Sequence, residues 1–170
     1  PNEFDIWMRL LREIQGSVLW LYQSNKYSSE NLIKEAEKRN VDSSRIILAK
    51  KLPLGKHLAR HALGDLALDT FNYNGHTTTS DALWAGLPVL TKIGESFAAR
   101  VSASILTSIG LPDLITYNER EYEEKAINIA KNPDELIRLK SKLNKLRKTS
   151  PLFNTEIFTK DLENKFIELV

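Results

Sequence analysis

Cysteine is absent from the 170 residues, which removes disulfides, thiol nucleophiles and cysteine-based metal sites from consideration. No stretch approaches the roughly 18 consecutive apolar residues of a membrane-spanning helix, and no signal peptide is visible. A cytoplasmic protein without a membrane partner is expected. An excess of charge is lacking too. The formal net charge is only +2, and Lys and Glu are interspersed rather than blocked, so nucleic acid is not an expected partner. The basic run at residues 140–148 carries leucines at helical spacing and reads as a solvated helix face. Internal repeats, low-complexity tracts and long linkers are missing. So are GxSxG, Walker A and GxGxxG patterns, and no nucleophile–base–orienter set can be assembled. The chain opens Pro1-Asn2-Glu3 without a methionine and is expected to be a piece of a longer protein.

What is present fits one domain with a real core. Hydrophobic residues make up 42% and charged residues 27%, as in ordinary globular proteins. Ile6, Trp7, Leu10, Leu11 and Ile14 mark one face of an opening helix that Gly16 ends. Residues 17–22 (SVLWLY) have strand length. Ser28 or Ser29 is expected to cap a helix reaching about Arg39, with Leu32, Ile33 and Ala36 inward. Residues 45–49 (RIILA) form a second strand, residues 50–55 a loop around Pro53, and residues 57–63 a helix closed by Gly64. A strand is expected at 66–70, a loop ending in Asn74-Gly75, and a helix opening at His76-Thr77-Thr78 and ending at Gly86. Further strands are expected at 89–93 and 114–117. Ser96 is the expected cap of a helix reaching Gly110. Asn118 opens a capping-box helix, and Asn132-Pro133 opens another with a seam of Leu136, Leu139, Leu143 and Leu146. That seam is too short for a coiled coil and is expected to pack on its own domain. Phe158, Leu162 and Phe166 line a terminal helix.

Five short apolar strands alternating with helices predict an α/β fold: a Rossmann-like parallel sheet with helices on both faces. Right-handed crossovers gather the strand-to-helix loops at the carboxyl edge, where open α/β sheets bind ligands. Three loops meet there, at residues 49–56, 70–77 and 93–96, and hold the residues able to do chemistry.

Asn74, Gly75, His76, Thr77 and Thr78 lead into a helix N-terminus, whose first N–H groups lack intrahelical partners and carry partial positive charge. Gly75 allows close backbone approach. The helix dipole contributes about 0.3–1 kcal/mol at exposed sites; hydrogen bonds to a charged group contribute roughly 1.5–3 kcal/mol each and would do most of the holding of a diphosphate. A plain helix cap by Thr77 is the alternative. Asp81 shares the face of Thr77 and Thr78. It would repel phosphate, so it is suited either to ribose hydroxyls or to a favourable charge near the helix start. His57 and Arg60 lie three apart on the preceding helix, where an imidazole can stack on a base and a guanidinium can bond its edge or a phosphate. His57 and His61 have a metal-like spacing of four, but without HExxH or a third ligand no metal is expected. Asp69 is placed to orient the loop by accepting backbone N–H bonds, and Glu95 to orient its own.

NGHTT with Asp81, LWAG (83–86), PVLT (88–91), Gly94-Glu95, AARV (98–101) and SPLFNT (150–155) together resemble the O-GlcNAc transferase family. The chain is most similar to the C-terminal half of its glycosyltransferase region, in the bacterial TPR-linked branch. The resemblance covers nearly the whole chain. It implies the C-terminal, donor-binding domain of a GT-B enzyme that transfers GlcNAc from UDP-GlcNAc to Ser or Thr of proteins, inverting and metal-independent, with no cofactor. By that pattern His57 packs on the uridine and Arg60 contacts the uracil. His76, Thr77 and Thr78 hold the diphosphate, Asp81 takes the ribose, and Tyr73 meets the sugar. The catalytic base, the N-terminal catalytic domain, the TPR repeats, and the family's first strand with its phosphate-binding lysine would all lie before Pro1. A lysine of the family three residues before the histidine is here Leu54. A SPINDLY-like GDP-fucose-dependent O-fucosyltransferase, and a non-catalytic nucleotide-binding or interaction module, are the rival readings.

Overall fold

A computed structural model describes residues 2–169. Among them are eight α-helices and five strands, which alternate as far as α6. The order is α1 (Asn2–Glu13), β1 (Leu19–Tyr22), α2 (Lys26–Glu37), β2 (Ile46–Ala49), α3 (Leu54–His61), β3 (Ala67–Leu68), α4 (Thr77–Trp84), β4 (Val89–Lys92), α5 (Val101–Ile109), β5 (Ile115–Thr116), α6 (Glu119–Lys131), α7 (Pro133–Thr149) and α8 (Thr155–Glu168). No helix among the described residues is long and apolar enough to cross a membrane.

All strand pairs are parallel, as the βα alternation requires, but they fall in two sheets rather than the single sheet expected. β1 pairs with β2, Leu19 opposite Ile46, and β3-β4-β5 form the second. A doubly wound sheet runs 3-2-1-4-5-6, so the first strand lies between the second and the fourth. β1 and β2 match the second and third places, and β3, β4 and β5 the fourth to sixth. The first place has no strand among the described residues, and the ladder is interrupted there. β3 is also shorter than expected, although the pairing continues past it, with Asp69 N–H donating to Leu90 O at 3.0 Å.

α1 joins the two halves by using two faces. Phe4, Met8 and Leu11 are buried with Ala36, Val41 and Ile46, beside β1 and β2. Ile6 and Leu10 are buried with Phe71, Leu90, Tyr122 and Ala126, beside β4 and α6. The sequence pattern marks Ile6, Trp7, Leu10, Leu11 and Ile14, and all five pack in these clusters; Phe4 and Met8, outside that pattern, are buried too because neighbours press on both sides of α1. The third cluster holds Leu83, Leu106, Ile109, Leu114, Ile129, Leu139 and Leu143, and each such side chain contributes about 1.5–3 kcal/mol of burial. The α7 seam packs into it as expected, with Leu136 and Leu146 at its margin.

Asn25, not Ser28 or Ser29, caps α2. Its side chain accepts from Ser28 N–H at 2.9 Å while Ser28 Oγ accepts from Asn25 N–H, a reciprocal capping box in which Ser28 is the third helical residue, not the cap. α3 starts at Leu54, directly after Pro53, earlier than the expected His57. Asn118 and Asn132 cap as expected, accepting from Glu121 and Glu135 N–H; Ser96 caps not the helix reaching Gly110 but the 3-10 turn Phe97–Ala99 before it, accepting from Ala99 N–H, and α5 starts after Arg100 without a side-chain cap. The apolar stripe of α8 does not turn inward. Phe158, Leu162 and Phe166 are exposed, since the helix meets the rest through the 3-10 turn Pro151–Phe153.

Candidate nucleotide site

The loop from β3 to α4 is built around one buried carboxylate. Asp69 Oδ1 accepts the N–H groups of Thr70 at 3.0 Å and Gly75 at 2.7 Å, and Oδ2 accepts Thr91 Oγ1 at 2.6 Å. Tyr122 Oη donates to the Asp69 carbonyl at 3.0 Å. Asp69 thus performs the orienting role expected of it. Burial pushes its pKa above the ordinary carboxylate value, opposed by the bonds from Thr91, Gly75 and Thr70. From the other side, Glu3 in the first turn of α1 accepts Phe71 N–H at 3.2 Å.

Asn74 is fully enclosed. Its Nδ2 donates to Thr70 O at 2.6 Å and its backbone N–H to Ala98 O at 2.9 Å, while Oδ1 is buried without a partner. Gly75 has no room for a side chain: a Cβ would lie 2.7 Å from Thr78 Oγ1 and closer still to Thr79 Oγ1. Ser102 Oγ donates to Gly75 O at 2.8 Å. Its proton is therefore committed, and Thr79 Oγ1 must be the donor in their 2.7 Å contact.

His76 is the N-cap of α4 but makes no side-chain cap bond; Thr77 is the first helical residue, not the cap. Thr77 and Thr78 are exposed, whereas Thr79 turns inward. Among the described residues, the N–H groups of Thr77, Thr78 and Thr79 find no partner; the first bond of the helix is Ser80 N–H to His76 O at 3.2 Å. Thr77 and Thr78 line a cavity of about 520 Å³ together with residues that include Asp69, Tyr73, Asn74, Gly75 and His76. Six of the nine expected binding residues meet there. Such a wall of free N–H donors and hydroxyls at a positive helix end suits an anion.

His57, Arg60 and Asp81 lie outside that lining, on α3 and α4, which pack together. Arg60 Nη2 donates to His57 Nδ1 at 2.7 Å, and Nη1 to Lys50 O at 2.8 Å, with the guanidinium 5.9 Å from the Trp20 ring centre. A guanidinium only donates, so His57 is the neutral tautomer with its proton on Nε2. Burial, then the neighbouring His61 and Arg60, lower the His57 pKa, while Asp81 opposes them. His61 Nδ1 donates to His57 O at 2.8 Å. No three His, Asp or Glu side chains among the described residues gather as possible metal ligands. Leu54, at the lysine position, is exposed at the start of α3.

The sequence did not single out Thr91, Ser102, Trp20 or Phe97. Thr91 and Ser102 look like ordinary strand and helix residues until the loop folds onto them. Phe97 follows a helix cap, where an apolar residue is read as core, yet it lies beside His76 with centroids 6.1 Å apart.

The sequence profile of Glycosyl transferase family 41 matches residues 1–162. A Caenorhabditis elegans UDP-N-acetylglucosamine–peptide N-acetylglucosaminyltransferase is 34% identical over 96% of this chain and 14% of its own length. The probable Arabidopsis thaliana transferase SEC is 34% identical over 99% of this chain and 17% of its own. A tomato (Solanum lycopersicum) SPINDLY protein is 31% identical over 96% of this chain and 18% of its own. The chain thus spans less than a fifth of these relatives. In structure it is similar to a mutant of the Thermobaculum terrenum O-GlcNAc transferase, with TM-score 0.91 and 30% identity, covering 98% of this chain and 32% of that one. The α/β fold is that of a GT-B glycosyltransferase domain, and the chain belongs to glycosyltransferase family 41, with the O-GlcNAc transferase and SPINDLY proteins.

Proposed function

We propose that residues 1–170 form one nucleotide-sugar-binding domain, the donor site of an inverting, metal-independent protein O-GlcNAc transferase acting in the cytoplasm. The observation that carries this reading is the start of α4, where unpartnered N–H groups and two exposed threonines face a cavity held in shape by Asp69. UDP-GlcNAc seats its diphosphate on His76, Thr77 and Thr78. Asp81 accepts from the ribose hydroxyls, His57 and Arg60 receive the uracil end, and Tyr73 faces the sugar.

In the transfer, a Ser or Thr hydroxyl of a protein acceptor attacks the anomeric carbon on the face opposite the diphosphate. The bond from that carbon to the phosphate oxygen breaks, and its electron pair leaves with UDP. Negative charge grows on the departing phosphate, where fixed donors stabilise it most. The helix end and the hydroxyls supply that stabilisation in place of a divalent cation. The base that takes the hydroxyl proton, an N-terminal catalytic domain and TPR repeats belong to other parts of the parent protein, so this chain alone binds nucleotide weakly and does not turn over.

Competition calorimetry tests the reading. UDP and UDP-GlcNAc binding more tightly than GDP supports it. GDP binding more tightly assigns the site to a GDP-sugar donor such as GDP-fucose, and binding of neither favours an interaction module. In the full-length parent, Asp81→Ala is expected to lower transfer.

A further inference from the structure

Among the described residues, no hydrogen bond orients the His76 imidazole, and its Nε2 is buried without a partner. Nδ1 is left as the ring nitrogen available to a ligand. Aromatic contact holds the ring instead. Tyr73 stacks on it with centroids 4.8 Å apart and planes 14° from parallel; Phe97 meets it edge-on at 6.1 Å and 89°. The two partners come from different loops, one before α4 and one after β4.

Phe97 is 82% exposed, so it gains little from burial, yet the backbone beneath it is fixed. Gly94 N–H donates to Ala99 O at 2.8 Å, and Asn74 N–H donates to Ala98 O at 2.9 Å, tying the Phe97 turn to the loop of His76. Ser96 caps the same turn. Gly94 has no space for a side chain, since a Cβ there would lie 2.6 Å from that of Ala99. An exposed ring on so rigid a base is preorganised to hold a neighbour, because edge-to-face and stacked aromatic pairs favour defined geometries over simple apolar contact.

We propose that Phe97 is a positioning residue: with Tyr73 it clamps the His76 imidazole in the orientation that offers Nδ1 to the diphosphate of a bound nucleotide. This rests on the donor-site reading above. Phe97 acts through His76 and does not need to touch the nucleotide.

The test is a titration of UDP, and of uridine as the phosphate-free probe, into the wild type, Phe97→Ala and Phe97→Tyr, together with the His76 ring resonances of the free proteins. Phe97→Ala is expected to weaken UDP about three- to tenfold, the range of one aromatic pair, and to leave uridine unchanged. Phe97→Tyr restores UDP to within about twofold, keeping the same ring edge. The free Phe97→Ala protein shows a shifted His76 Cε1–H signal as the ring current is lost. Equal UDP affinity in Phe97→Ala and wild type overturns the proposal and leaves the donor site standing; parallel loss of UDP and uridine, or an unmoved His76 signal, also overturns it. Failure of the wild type to bind UDP overturns the donor site, and the clamp with it.

Discussion

Asp69 accepts the backbone N–H of Gly75 at 2.7 Å, closing the loop from the end of β3 to the start of α4 on a single carboxylate. Because the other oxygen is held by Thr91 on β4, the loop is anchored to the sheet itself. Asp69→Ala leaves Gly75 N–H and the buried Thr91 hydroxyl without a partner, and each such orphan costs about 1–3 kcal/mol. A loss of about 2–6 kcal/mol in denaturant unfolding is expected.

The same carboxylate gives a signed pH dependence. Its folded pKa is raised by burial, so between the unfolded and folded values the native state binds more protons than the unfolded state. Stability from this group is therefore fully present below the ordinary carboxylate range and declines as pH rises through the folded value. Asp69→Asn removes that decline. Unfolding measured across the acid range in both proteins should show the wild type losing stability relative to the Asn variant as pH rises.

Gly75→Ala is predicted to damage the site rather than merely stiffen it. The new methyl would meet Thr78 Oγ1 at 2.7 Å, so the first turn of α4 must shift. Overpacking of this kind costs about 1–3 kcal/mol, and UDP affinity should fall by about tenfold, the equivalent of 1.4 kcal/mol.

His57 is held neutral by the bond from Arg60 at 2.7 Å and by burial, which lowers its pKa. For a depressed histidine the contribution is present above the unfolded pKa and lost as pH falls through the folded one. NMR titration should give His57 a midpoint below about 6.5, the unperturbed value. Nucleotide affinity should drop on that acid limb in the wild type, and the limb should vanish in His57→Phe, which retains a ring for stacking.

Leu143 is fully buried on α7 in the largest cluster, away from the loop. Leu143→Ala should cost about 2–5 kcal/mol of stability while leaving nucleotide affinity in the folded protein unchanged.

Much of this was legible in advance because it depends on local chemistry. The βα alternation, the Asn118 and Asn132 caps, and the gathering of Tyr73 and residues 74–78 at one helix start all follow from short-range pattern. What was not legible depends on distant partners. The division into two sheets turns on which strands find each other, and no periodicity records that. Met8 is buried because two layers press on α1, whereas Phe166 is exposed because none presses on α8. The anchoring of Gly75 by Asp69 was readable from one segment, but the hold of Thr91 on that carboxylate and of Phe97 on His76 joins loops more than twenty residues apart.

The central claim is that the N-terminus of α4 seats the diphosphate of a UDP-sugar. Its most direct test is an NMR titration of the protein with UDP and UDP-GlcNAc, following backbone amides. The amides of Gly75, His76, Thr77 and Thr78 are predicted to show the largest, saturable shifts, with those of α8 unmoved. If these four stay unshifted at millimolar nucleotide, the claim is contradicted.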